Sequence, residues 1–524
     1  MLDFSAETRS RALHRMADAE LDVLVVGGGI TGCGIALDAA SRGLSVALVE
    51  RADFASGTSG RSSRMVHGGV RYLEQHDVRL VSEALAERRI LLRLAPHLVR
   101  PIPMYALASA GLARLRWRLG LSLYDALATG RNIRRHRPRD AAAVGRAAPG
   151  LARPGLALAY YECGTDDARL TLEVARAAGA AGALVANHAE VLALCGAGRV
   201  RGAVLADRLT GERLEVTARV TVNATGVWAE QLHGLAAGRP IGLRPSKGVH
   251  LVFRPGAVAT TVGVVLPSAA GDGRHVFVLP WAGRTFAGTT DTTYLGALDD
   301  PPVTVDDRDY LLAAVRAAFP SVQDSDVVAE WAGLRPLCDT SVAAATGTAT
   351  ADLSRRHIVD GSVPGLLTVA GGKLTTYRAV AEQVVDRLAA SLGRGGRCHT
   401  RRIPLGLTGR LAATLELATA AAARTGLPAE SGRRLVLRYG DDWMEALRLI
   451  RADRELAEPV AADAPVLAVE LVLAGTREMA LTGDDVLVRR TRLASLLGLP
   501  RLTALAGRAA GLPGSGSTVD PPRP

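Results

Sequence analysis

A guanidinium or ammonium group set beside glycines or ahead of a proline is a candidate for gripping an anion, and this chain has several. In SSRMVHGGVRYLE (62–74), His67 precedes two glycines, and Arg71 with Tyr72 follows them. Arg335 stands before Pro336 in WAGLRPL, and Lys373 follows Gly371 and Gly372 in VAGGKLTTYR. Arginine offers a planar fork of donors that keeps its charge, which suits a phosphate; lysine serves the same ligand as a point charge. A lysine at a helix N-terminus opposes the helix dipole, so Lys373 expects an anion nearby. His67, and His250 in KGVHLVF, have the ordinary pKa of a general base. The bland alternatives are a surface ion pair for Arg71, a packed ring for Tyr72, a solvated Lys373 and a structural strand histidine at 250. Arg64 has no assignment from the sequence.

Upstream of these groups lies LDVLVVGGGITGCGIALDAASRGLSVALVE (21–50). It reads as a buried parallel strand, a glycine turn, a helix over Ile30–Ser41 and a second strand ending at Glu50. Gly27, Gly29 and Gly32 have the dinucleotide spacing. The first permits the tight turn, the second lets a pyrophosphate approach the backbone, and the third lets helix and strand pack closely. The helix N-terminus offers unpaired N–H groups to phosphate, and Glu50 is placed to accept from ribose hydroxyls.

Two further pieces decide which dinucleotide. RADFASGTSGRSS (51–63) is rich in Ser, Thr and Gly, and its Thr58, Ser59 and Ser63 can follow a long pyrophosphate and ribityl chain. VNATGVWA adds a glycine turn at a strand end with Ala224, Thr225 and Gly226, and VAGGKLTTYR repeats strand, glycine pair and helix start. In that repeat, Gly371, Gly372, Lys373, Leu374 and Thr375 aim a positive helix end at a flavin pyrimidine edge. FAD fits all three pieces; NAD fits the first alone.

The chain that must position these groups has 524 residues, 48% hydrophobic and 22% charged, enough for several domains with large cores. Net charge is +11 with a pI near 9.9, carried mostly by arginine. Such a balance suits nucleic acid, an anionic lipid or an anionic substrate, or reflects coding bias alone. The five cysteines are scattered with no C-x-x-C pair, which argues against a zinc site or disulfide framework and for a reducing compartment. The first residues have no apolar core, so no secretory signal is expected, and no run is long and apolar enough to predict a spanning helix. Asp166, Asp167 and Arg169 in GTDDARL read as a helix start.

Taken together, VVGGGITGCGIALDAASRGLSVALVE, TSGRSSRMVHGGVRYLE, CGTDDARL, VNATGVWA, KGVHLVF, GTTDTTY, WAGLRPLCD and GGKLTTYR resemble the FAD-dependent, respiratory glycerol-3-phosphate dehydrogenases. The match runs through almost the whole chain after residue 20. It implies an α/β fold: a glutathione-reductase-like FAD-binding Rossmann domain (21–96, 160–240, 336–400) with an inserted antiparallel-sheet substrate domain (97–159, 241–335). A charged leader (1–20), a C-terminal helical domain (401–510) and a disordered tail (511–524) complete the expected order. The implied reaction oxidises C2 of glycerol 3-phosphate to dihydroxyacetone phosphate and passes electrons to a membrane quinone. Arg335, His250 and His67 are the implied catalytic groups, and Arg71, Tyr72, Lys373 and Arg335 the substrate contacts. His67, Gly68 and the glycine, Ser/Thr and Glu positions above are implied to bind FAD. The long insertion of the oxygen-using glycerol-phosphate oxidases is not evident, which favours a dehydrogenase; an amine or 2-hydroxyacid oxidase, or a non-enzymatic flavin-containing membrane-binding protein, is the alternative.

Residues 111–140 depart from the pattern by being unusually rich in arginine: Arg114, Arg116, Arg118, Arg131, Arg134, Arg135, Arg137 and Arg139 around Trp117 and LGLSLYDAL. A basic amphipathic stretch of this kind suits an anionic membrane surface. The expected placement is cytoplasmic, on the inner face of the cell membrane, with a homodimer as one expected assembly. Aromatic residues are too sparse to interleave with the basic ones as in RNA-binding modules, so no nucleic-acid partner is expected.

Overall fold

The computed structural model describes residues 3–70, 77–107, 111–128, 130, 132–338 and 357–498. Strand Leu21–Val26 is buried along its whole length, as its unbroken apolar run requires. It lies between the parallel strands Val46–Val49 and Arg213–Asn223; beyond them stand Leu184–Ala186 on one side and Leu366–Ala370 on the other. Helices Ile30–Ser41, Asp167–Ala180 and Tyr377–Leu392 share a core with one face of this sheet. The leader forms helix Ala6–Asp18, started by a Ser5–Thr8 capping box, and it covers the other face with Ala12, Leu13 and Met16. Its Arg9 is buried against Asp207 at 2.7 Å.

Among the described residues the second sheet has ten strands. Leu243–Phe253 runs antiparallel to both Val327–Cys338 and Arg284–Gly288, so KGVHLVF, WAGLRPL and the strand before GTTDTTY lie side by side. His275–Trp281, Gly263–Pro267, Arg100–Leu107 and Ala157–Gly164 continue the sheet, and helix Val305–Ala318 packs on it. The mixed α/β class expected from the sequence is therefore the fold observed.

After residue 400 the helices Leu411–Arg424, Ala429–Tyr439, Trp443–Ala452 and Ala468–Arg477 enclose a core of their own around Leu435, Val436, Ile450 and Leu473. This unit is fastened to the nucleotide domain by buried charge. Arg489 and Arg490 each reach Asp53 at 2.6 Å, Arg492 meets Asp166 at 2.9 Å and also Asp167, and Arg169 pairs with Glu478. Asp166 caps its helix by accepting from the Arg169 N–H at 3.2 Å. GTDDARL is thus structural, both as helix start and as socket for the C-terminal arginines. The tail 511–524 lies outside the described residues.

Candidate active site

Between the two sheets runs a cavity of about 1920 Å³, well above the ~300–1,000 Å³ that one small ligand needs. Its first half is made of backbone. Gly27 has φ +114°, and a side chain there would begin 2.5 Å from the Ala224 carbonyl oxygen. At Gly32 the added carbon would stand 1.9 Å from the Gly27 carbonyl oxygen, and at Gly34 it would meet the Tyr377 ring at 2.6 Å. These contacts hold helix, turn and downstream helix together and leave the Ile30–Ser41 N-terminus facing the cavity, lined by Gly27, Gly29 and Ile30. The Ile30 N–H donates to Ser59 Oγ at 2.9 Å. Glu50 lines the cavity and accepts from the Gly28 and Ala52 N–H groups at 2.6 and 2.9 Å. Burial raises its pKa, and those two donors counter the rise. A glycine-lined helix N-terminus, a carboxylate at the end of the second strand and this volume fit FAD.

The second half is made by strand register. Ser246, Gly248 and His250 face Arg335, Gly333 and Trp331 across one antiparallel ladder. The central glycine pair leaves a trough. A carbon added to Gly248 would fall 2.5 Å from Arg335 Nη2, so the guanidinium lies over bare backbone. Arg335 donates to Thr289 Oγ1 and the Thr290 carbonyl at 3.0 Å and to Ser246 Oγ at 3.2 Å, and Asp291 stands 3.4 Å away. At the other end, His250 stacks on Trp331 with ring centres 4.7 Å apart, and its Nε2 meets Ser63 Oγ at 2.9 Å. Its other cross-strand neighbour, Gly288, has room for no side chain: an added carbon would touch the imidazole at 2.1 Å. Burial, then Arg335, then Arg64 push the His250 pKa well below the ordinary histidine value.

The cavity gathers most of the positions expected from the sequence. Arg335, Lys373, His67 and His250 all line it, together with Thr58, Ser59 and Ser63, Ala224, Thr225 and Gly226, and Gly371, Gly372, Leu374 and Thr375. Thr58 Oγ1 donates to the Leu334 carbonyl at 2.7 Å, and Thr375 Oγ1 accepts from the His67 N–H at 3.1 Å. Two positions stand elsewhere. Gly32 serves packing, as its place in the motif predicts. Gly68 was expected against the cofactor, but it backs onto Tyr124 and Leu85: an added carbon would lie 2.1 Å from the Tyr124 hydroxyl, and its N–H donates to Glu162 at 3.0 Å. There, Glu162 also holds Arg88 at 2.6 Å and Tyr124 at 2.7 Å. Arg71 and Tyr72 lie outside the described residues. Sequence reasoning missed Gly248, Gly333 and Gly288, whose meaning appears only once the strands are in register. It also missed Arg274, which lines the cavity and donates to the Asp291 carbonyl at 2.7 Å.

With that geometry in place, the relatives fall into line. The family described as FAD dependent oxidoreductase matches residues 22–378, and the C-terminal domain of alpha-glycerophosphate oxidase matches 398–509. Glycerol-3-phosphate dehydrogenase 2 of Mycobacterium tuberculosis is 38% identical over 93% of this chain and 83% of its own length. The X-ray structure of glycerol-3-phosphate dehydrogenase from Bacillus halodurans, complexed with FAD, has a TM-score of 0.78 and 33% identity, covering 97% of this chain and 92% of that one. The chain belongs to the FAD-dependent glycerol-3-phosphate dehydrogenase family. Its cofactor is FAD, and it is an oxidoreductase. Alpha-glycerophosphate oxidase of Streptococcus pneumoniae is also similar, at 36% identity over 75% of each chain.

Proposed function

We propose that the protein oxidises sn-glycerol 3-phosphate at C2 to dihydroxyacetone phosphate. The observation that carries this reading is that Arg335 and Lys373, 38 positions apart in sequence, line one cavity with the glycine cradle. An anion-holding pair beside a dinucleotide site suits an alcohol that carries a phosphate. Gly27, Gly29 and the N-terminus of helix Ile30–Ser41 would hold the FAD pyrophosphate, Glu50 the ribose, and Gly371 to Thr375 the flavin edge. When bound, FAD would supply the acceptor for the hydride that leaves C2.

The chain's own groups do the rest. Lys373 neutralises the phosphate, and Arg71, with Tyr72, belongs to the same substrate set. Arg335, fixed by Thr289, Thr290, Ser246 and Asp291, presents positive charge where an alkoxide develops on the C2 oxygen. His67, at the cavity wall, takes the hydroxyl proton. His250 is a weak base, because burial, then Arg335, then Arg64 hold its pKa well below the ordinary histidine value; its place is to fix Ser63.

Electrons then leave to a membrane quinone, with the protein on the inner face of the cell membrane. Helix Leu112–Leu127 supports this acceptor and placement: Leu115, Leu119 and Leu123 are exposed at helical spacing, among exposed Arg114, Arg116 and Arg118. Arg116, Trp117, Leu119 and Leu123 also line the cavity, so the apolar face borders its wall. No helix among the described residues is long and apolar enough to cross a membrane.

Anaerobic addition of glycerol 3-phosphate to the purified yellow holoenzyme tests the reaction. It should bleach the flavin, while glycerol and D-amino acids should not. Bleaching by an amino acid or a 2-hydroxyacid instead would move the protein to the alternative oxidase reading.

A further inference from the structure

Arg64 is the basic residue that the proposed reaction leaves unused, and it sits in an unusual place. It is 3% exposed, and its backbone is left-handed at φ +54°, a conformation that a non-glycine residue keeps only when its surroundings enforce it. The guanidinium is sandwiched between two indoles, 3.7 Å from the Trp281 ring centre and 4.4 Å from that of Trp331. Nη2 donates to Ser495 Oγ at 3.1 Å, on helix Leu493–Leu497 of the C-terminal region. Nε and Nη1 have no hydrogen-bond partner among the described residues. Burial, and then Arg492, lower its pKa to about 9. A salt bridge is therefore not what keeps Arg64 here.

What lies beyond Trp331 gives the position a purpose. The indole stacks nearly parallel on the His250 imidazole, at 12°. His250 Nε2 meets Ser63 Oγ, the hydroxyl next to Arg64 in the chain, and Ser63 lines the cofactor cavity. His250 Nδ1 has no hydrogen-bond partner among the described residues. The tautomer protonated on Nε2 leaves a lone pair unsatisfied at Nδ1, whereas the other would leave a buried N–H unsatisfied, which is rarer in proteins. With Nε2 as donor, the Ser63 oxygen accepts, and its own proton is left to point into the cavity.

We propose that Arg64 is a positioning residue: through Trp331 and His250 it fixes the Ser63 hydroxyl toward the FAD site, and through Ser495 it makes that placement depend on the seated C-terminal helix. The charged and titratable groups facing His250 are Arg335 and Arg64; Phe286, Trp331, Gly288 and Ser63 complete its surroundings. The inference concerns the FAD site alone and does not depend on which alcohol is oxidised.

A double-mutant cycle on the full chain tests it. Arg64→Met and Ser63→Ala are made singly and together, and the FAD dissociation constant, the visible flavin spectrum and the 15N signals of His250 are measured. Arg64→Met alone should weaken FAD binding at least threefold, shift the flavin band and change the His250 tautomer signal. In the Ser63→Ala background the same change should alter FAD affinity less than 1.5-fold. Equal losses in both backgrounds would overturn the proposal and leave Arg64 a fastening for the C-terminal domain. If Arg64→Met does not fold, the same cycle with Arg64→Lys, which keeps the charge and stem but not the plane, is read by the same two criteria.

Discussion

The two halves of the cavity are built by opposite means. The cofactor cradle is local and mostly backbone: Gly27, Gly29, Gly32 and Glu50 fall within one strand–helix–strand unit, in which the glycines contribute bare backbone and Glu50 a carboxylate. The trough proposed to take the substrate is non-local and made of side chains. Ser246 faces Arg335 and His250 faces Trp331 across strands that the chain separates by some eighty residues, and glycines at 248, 288 and 333 only clear the floor. The first half tolerates little change in shape. The second is just as tight at its glycines and depends in addition on the charge of Arg335 and Lys373.

That contrast can be broken at either end. The largest effect is expected from Gly32→Val, which drives carbon into the Gly27 carbonyl. Holoenzyme should fall to below roughly a tenth of wild type, because helix and strand can no longer close on the phosphate site; full flavin content in the purified variant would show that the cradle is not the rigid half. Next comes Arg335→Ala, in the half governed by charge. FAD should stay bound, while stopped-flow flavin reduction by glycerol 3-phosphate slows by about 100- to 1,000-fold, the cost of one lost electrostatic stabiliser. Near-normal reduction would remove Arg335 from the mechanism.

The smallest effect sharpens the comparison from outside the cavity, at the C-terminal junction. His97 is fully buried with neither ring nitrogen bonded among the described residues, and burial, helped by Arg169, Arg100 and Arg176, lowers its pKa to about 3. Unfolding lets it take up a proton near its ordinary value of 6.5, so stability is lost as pH falls from 6.5 toward 3. At that junction Asp166 acts the same way further down: Arg492, Arg438 and Arg64 overcome burial and depress its pKa, and that stabilisation is lost as pH falls through and below the usual aspartate value. Unfolding midpoints should therefore drop between pH 7 and 5, and His97→Gln should flatten the drop. An unchanged slope would place the acid sensitivity elsewhere.

How much of this was legible follows the same division. The strand ending at Val26, helix Ile30–Ser41 and the glycine roles were readable, because periodicity and spacing act within a few turns of chain. Lys373 and Arg335 were readable as candidate anion holders from their own neighbours, and both line the cavity. Nothing near His250 foretold Trp331 or Gly288, since register between distant strands leaves no local mark. The space at Gly68 was not readable for the same reason: the group packed against it is Tyr124, on the basic helix. Arg64 stayed unassigned because its partners Trp281, Trp331 and Ser495 come from three distant parts of the chain.

The central claim is that Lys373 and Arg335 hold one substrate beside the flavin, Lys373 at its phosphate and Arg335 at its C2 oxygen. Dihydroxyacetone phosphate, the product of the proposed reaction, can be titrated into oxidised holoenzyme and followed by the flavin absorbance. Lys373→Ala should weaken its binding by about 10- to 100-fold, a loss of ~1.5–3 kcal/mol of charge-assisted bonding, with FAD retained; Arg335→Ala should also weaken it, and the double variant should lose less than the sum. Wild-type affinity in the Lys373→Ala enzyme would contradict the account.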